Sequence, residues 1–136
     1  MRGLLEKEEC GQRRNITVRV TGSEETFPNP SQIPELMKEF FTSDFSSPHS
    51  LEDVARLHFE LVKIHPFVDG NGRIARLLMN IGLITIGYFP IIIPMVVRNE
   101  YISSLKGKQF EKRFAFFVQQ VYENHKDYIR FFMNSD

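Results

Sequence analysis

At 136 residues and 15.9 kDa, the chain has room for one domain with a buried core and none for a second of ordinary size. Hydrophobic residues make up 42% and charged residues 25% of it, which excludes a disordered tail or a fibrous protein. Lys and Arg total 17 against 17 Asp and Glu, a balance that argues against coating nucleic acid or an anionic membrane but leaves room for a local anion site.

The opening MRGLLEKEEC puts glutamates where a signal peptide needs an apolar stretch, and the single Cys10 has no internal disulfide partner. Both features point to a cytoplasmic protein. Leu4 and Leu5 followed by Glu6 to Glu9 read as the last turns of a helix stopped near Gly11. Residues 1–10 are therefore expected to be the remnant of an upstream helix, from a truncated product or a naturally short chain, and residues 11–136 a single domain. Ile16, Val18 and Val20 alternate with Thr17 and Arg19, the period of a half-buried strand, and Gly22-Ser23-Glu24-Glu25 supplies a turn before Thr26-Phe27. The pattern predicts a small β-hairpin.

Pro28-Asn29-Pro30 ends the hairpin, and Ser31 is placed to cap a helix with Ile33, Leu36, Met37, Phe40 and Phe41 on its apolar face and Pro34 in the tolerant first turn. After a polar stretch from Thr42 to His49, Ser50 with Asp53 three residues on announces a second helix. Its buried stripe is Val54, Leu57, Leu61 and Ile64, and His58 reads as a packed or hydrogen-bonded structural histidine. Asp69-Gly70-Asn71-Gly72 breaks that helix, and Arg73 starts a very apolar one reaching about Ile86.

From Leu77 to Val97 the only polar side chains are Asn80, Thr85 and Tyr88, long enough to cross a membrane. Pro90 and Pro94 interrupt the run, and Gly82 and Gly87 loosen it, so it reads as a buried helix followed by an extended connection. Phe110, Phe114, Phe117, Val118, Val121, Tyr128, Ile129 and Phe132 mark a long amphipathic C-terminal helix, in one piece or two. The class is mostly α.

The chemistry concentrates in His65-Pro66-Phe67-Val68-Asp69-Gly70-Asn71-Gly72-Arg73-Ile74-Ala75-Arg76. Gly70 and Gly72 allow backbone conformations closed to other residues, and the loop leads into a helix whose first N–H groups attract anions. Arg73 and Arg76, three residues apart on one helical face, add two guanidinium forks beside that nest, enough for more than one phosphate. Asp69 is a hard carboxylate at the loop entrance, suited to Mg²⁺. His65 ends the preceding helix and has the ordinary pKa of a base near neutrality. A base, a metal ligand, an anion nest and two arginines point to phosphoryl or nucleotidyl transfer rather than peptide or sugar hydrolysis.

Taken whole, His65 to Arg76 matches the pattern H-P-F-x-D/E-G-N-G-R-x-x-R, and in this the chain resembles the Fic family (filamentation induced by cAMP). The likeness extends to Gly11-Gln12-Arg13-Arg14 through Val20, to His58-Phe59-Glu60, to Leu77-Leu78-Met79-Asn80 and to Gly87-Tyr88-Phe89-Pro90, covering residues 11 to 130. The resemblance implies a helical bundle with a small β-hairpin flap, acting as a protein adenylyltransferase with ATP as co-substrate and Mg²⁺ as cofactor. His65 would take the proton of a Ser, Thr or Tyr hydroxyl of a target protein, which attacks the α-phosphate. Asp69 would hold Mg²⁺, Gly70, Asn71 and Gly72 would form the anion hole, and Arg73 and Arg76 would hold the β- and γ-phosphates. Val20, Thr21 and Gly22 would lie in the flap that docks the target by strand addition, and Tyr101 would sit beside the adenine.

Gly72 and Arg73 are the two positions lacking in the phosphoryl-transferring Doc toxins, so their presence favours AMP transfer, although other members transfer UMP or phosphocholine. Many members carry an inhibitory S/T-x-x-x-E-G/N helix. Gln119 to Asn124 approaches it with Gln where Ser or Thr belongs, making Glu123 a candidate inhibitory residue. Two further readings stay open: a toxin-like module completed by an antitoxin-like or self-association partner, and an inactive truncated fold that acts by binding.

Overall fold

The computed structural model describes residues 11–19, 26–97 and 109–135. Four helices follow one another in these segments: α1 (Ile33–Thr42), α2 (Leu51–Ile64), α3 (Asn71–Thr85) and α4 (Phe110–Met133). Single 3₁₀ turns lie at Pro30–Gln32, Asp44–Ser46 and Met95–Val97.

Helix α2 starts where its sequence says it should. The Ser50 hydroxyl accepts from the Asp53 N–H at 3.1 Å, while the Asp53 carboxylate accepts from the N–H groups of Ser50 and His49. These bonds, that from His49 foremost, hold the Asp53 pKa below the usual carboxylate value. Val54, Leu57, Leu61 and Ile64 are all buried as expected, joined by Ala55, His58 and Phe59. Two sides of α2 are thereby covered. Val54, Ala55 and Phe59 pack with Met79 and Leu83 of α3 and with Phe117 and Val121 of α4, and Leu57, Leu61 and Ile64 pack with Ile33, Met37 and Phe40 of α1 and Ala75 of α3. The result is a helical bundle with α2 at its centre.

Several local expectations need correction. The turn leading into α1 begins at Asn29, whose N–H donates to the Gln32 side chain at 2.9 Å, rather than at Ser31. Phe41 is 65% exposed, off the buried face. Helix α3 begins at Asn71, two residues before Arg73, because Gly70 (φ +82°) takes the left-handed cap position and frees Asn71 and Gly72 to open the first turn. Gly82 does not loosen α3. A Cβ there would lie 3.1 Å from Val54 Cγ2, so its missing side chain lets α2 and α3 approach.

Helix α4 is continuous from Phe110 to Met133, and its second half turns Ile129 and Phe132 to the surface. Among the described residues there is no β-strand. Ile16 is exposed and Val18 half-buried, and Val20, Thr21 and Gly22 lie outside the described residues, as do residues 1–10 and Tyr101.

The connection after α3 is tied down by side chains. Asn80 bonds both the N–H and the carbonyl of Ile91, and Asn124 both those of Ile92. The Phe89 N–H donates to His125 Nε2, and the Tyr128 hydroxyl donates to the Pro90 carbonyl. The prolines thus give an extended connection, as expected, lying against α3 and α4. No helix among the described residues is long and apolar enough to cross a membrane.

Candidate active site

The site is assembled where α2 ends and α3 begins. His65 caps α2 in the left-handed conformation (φ 52°, ψ 58°), and Pro66, which follows, cannot continue a helix. The His65 Nδ1 faces the Val62 carbonyl at 3.2 Å. When Nδ1 carries the proton and donates there, the lone pair that can accept a proton is on Nε2. Phe27 stacks on the imidazole with ring centroids 4.0 Å apart. Burial holds the His65 pKa below the usual imidazole value and the Arg14 charge adds to this, while the Val62 bond and the Asp69 carboxylate pull the other way.

The loop between the helices is closed by Asn71. Its side chain accepts from the Phe67 N–H at 2.9 Å and donates to the Phe67 carbonyl at 2.8 Å, and the residue is 2% exposed. That side chain is therefore a brace, and the anion-binding capacity of Gly70-Asn71-Gly72 rests on backbone N–H groups at the start of α3. Asp69 accepts from the Gly70 N–H at 2.6 Å and pairs with Arg73 Nη2 at 3.1 Å.

The two arginines lean toward the beginning of their helix, as long helical side chains do. A Cβ on Gly70 would come 3.5 Å from Arg73 Nη2, and one on Gly72 would come 3.3 Å from Arg76 Nη1. Each guanidinium thus lies over one of the loop glycines. Positive charge collects at a helix end that already favours an anion.

His65, Asp69, Gly70, Asn71, Gly72, Arg73 and Arg76 are accordingly brought to one loop. His58 is not part of it: 1% exposed and bonded to the Ala75 backbone, it is packed between α2 and α3, with its pKa lowered by burial to about 4. Glu123 lies on α4, where it accepts from Gln119 Nε2 at 2.9 Å and pairs with Lys126 at 2.6 Å.

No group of three His, Cys, Asp or Glu side chains gathers among the described residues. The donor set fits Mg²⁺ all the same, because this ion commonly takes one or two protein carboxylates and completes its shell with phosphate oxygens and water. Sequence reasoning gave no role to Arg14 or Phe27, whose side chains contact His65 from outside the motif. Their positions carry no periodic signal, since the contacts are made across the fold.

Comparison with known proteins gives the family and the fold. The Fic/DOC family matches over residues 1–83. Protein adenylyltransferase Fic of Drosophila yakuba is 43% identical over 108 residues, covering 76% of this chain and 21% of that protein. The solved structure of Fic-1 (aa134 - 508) from C. elegans superposes with a TM-score of 0.82 at 28% identity, over 96% of this chain and 40% of that one. A Fic domain containing signaling protein from Bacteroides thetaiotaomicron shares the fold at a TM-score of 0.71 and 24% identity, over 84% and 52% of the two chains. The chain spans about a fifth of the length of the curated relatives it matches. With the family match spanning residues 1–83 and the whole helical bundle superposing on a solved Fic protein, the chain belongs to the Fic/DOC family.

Proposed function

We propose that the chain is a protein adenylyltransferase that moves AMP from ATP to a Ser, Thr or Tyr hydroxyl of another protein. The observation that carries the reading is the placement of Arg73 and Arg76 over Gly70 and Gly72 at the start of α3, one loop away from His65. The relatives named protein adenylyltransferase support it.

In this mechanism His65 Nε2 accepts the proton of the attacking hydroxyl, with Nδ1 anchored on Val62. Backbone N–H groups of the Gly70-Asn71-Gly72 turn hold the phosphate oxygens. Arg73 and Arg76 take the β- and γ-phosphates and so orient pyrophosphate to leave. Asp69 would hold Mg²⁺, which when bound neutralises phosphate charge. The Asp69 carboxylate, paired with Arg73 at 3.1 Å, has further lone pairs that would be available to such an ion. Val20, Thr21 and Gly22 would dock the target segment and Tyr101 would flank the adenine. Glu123, engaged by Gln119 and Lys126, takes no part in this scheme.

The test is incubation with ATP labelled at the α- or the γ-phosphate. Label retained on protein from the α position alone is the expected result. Label from the γ position means phosphorylation and overturns the proposal.

A second reading, a module that works with a partner chain, is favoured by one observation. Leu77, Ile81 and Ile84 form an exposed apolar row on α3, and Ile81 also lines, with Phe41, Leu78 and Ile86, a groove of about 650 Å³. The mass of the purified chain in solution, alone and with candidate partner chains, tests it.

A further inference from the structure

Arg14 is a charged side chain only 3% exposed, and its guanidinium is satisfied by backbone carbonyls. Nε donates to His65 O at 2.7 Å, Nη1 to Ile16 O at 3.0 Å and Nη2 to Pro28 O at 2.6 Å, while its own N–H donates to Pro66 O at 2.8 Å. A buried guanidinium is costly unless all its directions are bonded. Here those bonds gather three separate stretches of chain: the segment around Arg14, the approach to α1, and the end of α2.

Two of the acceptors flank the catalytic ring. His65 is the one non-glycine residue among the described residues with a positive φ, a conformation disfavoured for residues with a side chain that must be held by its surroundings. Its carbonyl, and that of the following Pro66, are the groups Arg14 bonds. Pro28, the third partner, directly follows Phe27, whose ring lies on the imidazole.

We propose that Arg14 is the positioning residue for His65: with one rigid guanidinium it fixes the left-handed backbone that aims the imidazole and the segment that presses Phe27 onto its ring. The proposal deepens the adenylyltransferase reading and rests on it for the role of His65. A lysine has the charge but no planar fork, so it cannot span the His65 and Pro28 carbonyls together.

The experiment compares Arg14→Lys and Arg14→Gln with wild type and with Phe117→Leu, a change in the distant α2–α4 contact. Ring proton resonances of His65, which the stacked Phe27 ring is expected to shift upfield in the wild type, are measured alongside AMP transfer and melting temperature. Both Arg14 variants are expected to lose that upfield shift and about a hundredfold in kcat, with KM for ATP nearly unchanged because the phosphate loop is braced separately by Asn71. Phe117→Leu is expected to lower the melting temperature yet leave the His65 resonances and kcat in place.

Unmoved resonances in Arg14→Lys overturn the proposal. So does an equal fall in kcat for an equally destabilised Phe117→Leu, or an Arg14→Lys that fails to fold, since Arg14 would then serve the fold at large. If wild type transfers no AMP, the adenylyltransferase reading fails, and the resonances still decide whether Arg14 positions the ring.

Discussion

A histidine that must accept a proton works best when its neutral form prevails, and burial and the Arg14 charge push His65 that way. His65→Ala is expected to lower AMP transfer by about a hundredfold to ten-thousandfold while ATP binding measured by calorimetry stays close to wild type, because the ring is assigned to the hydroxyl and not to a phosphate. Since the His65 pKa is lowered, the acid limb of the wild-type rate profile should lie below the ordinary imidazole pKa. A limb above it would contradict the role. Arg76→Ala should weaken ATP more than ADP, the γ-phosphate being its assigned partner, and equal losses for the two nucleotides would remove it from that position.

His58 gives a different pH signature. Its pKa falls from the usual 6.5 to about 4 on folding, so below 6.5 the unfolded chain takes up a proton that the folded chain refuses. Stability is complete above that pH and declines by up to about 1.4 kcal/mol per pH unit on the way down to about 4. His58→Gln should flatten this decline between pH 6.5 and pH 4, as urea titrations across that range would show, even if it lowers stability near neutrality.

The helices differ in how openly their sequences declare them, and α2–α3 packing shows why. Gly82 faces Val54 at a distance where a Cβ would be 3.1 Å from Cγ2. Gly82→Ala should therefore cost about 1–3 kcal/mol by overpacking, although Ala is the better helix former. A melting curve decides between the two effects, and a raised melting temperature would show that the helices give way easily. In α2 the signals agree: Ser50 and Asp53 cap one end, the apolar stripe has helical spacing, and both were legible in the sequence.

In α3 the signals compete. Gly70-Asn71-Gly72 reads locally as a break, but the Ile74 N–H donating to the Gly70 carbonyl at 3.0 Å shows that the helix has already begun there. Phe41, Ile129 and Phe132 fit helical stripes yet face outward, because spacing assigns a face and packing decides whether anything covers it. The candidate site was legible because its residues are contiguous. Arg14 was not, since the partners of its guanidinium are backbone carbonyls up to 51 residues away, and a carbonyl leaves no mark in sequence.

At the scale of the molecule, the connection across α3 and α4 guards against a hazard in its own composition. Phe89-Pro90-Ile91-Ile92-Ile93 is apolar and extended, the kind of segment that templates intermolecular β-sheet when its edge is open. Every N–H from Phe89 to Ile92 that can donate, proline having none, is bonded to a side chain of Asn80, Asn124 or His125, and the carbonyls of Pro90, Ile91 and Ile92 are bonded to Tyr128, Asn80 and Asn124. Two asparagines stand in for the neighbouring strand that Ile91 and Ile92 lack, each occupying both backbone groups of one isoleucine. Asn124→Ala should therefore raise the rate of aggregation under mild heating, followed by light scattering, before circular dichroism shows any loss of helix. Simultaneous loss of both signals would mean that ordinary unfolding precedes aggregation. Where scattering rises first, colloidal stability is set locally, by side chains that deny the segment a second chain.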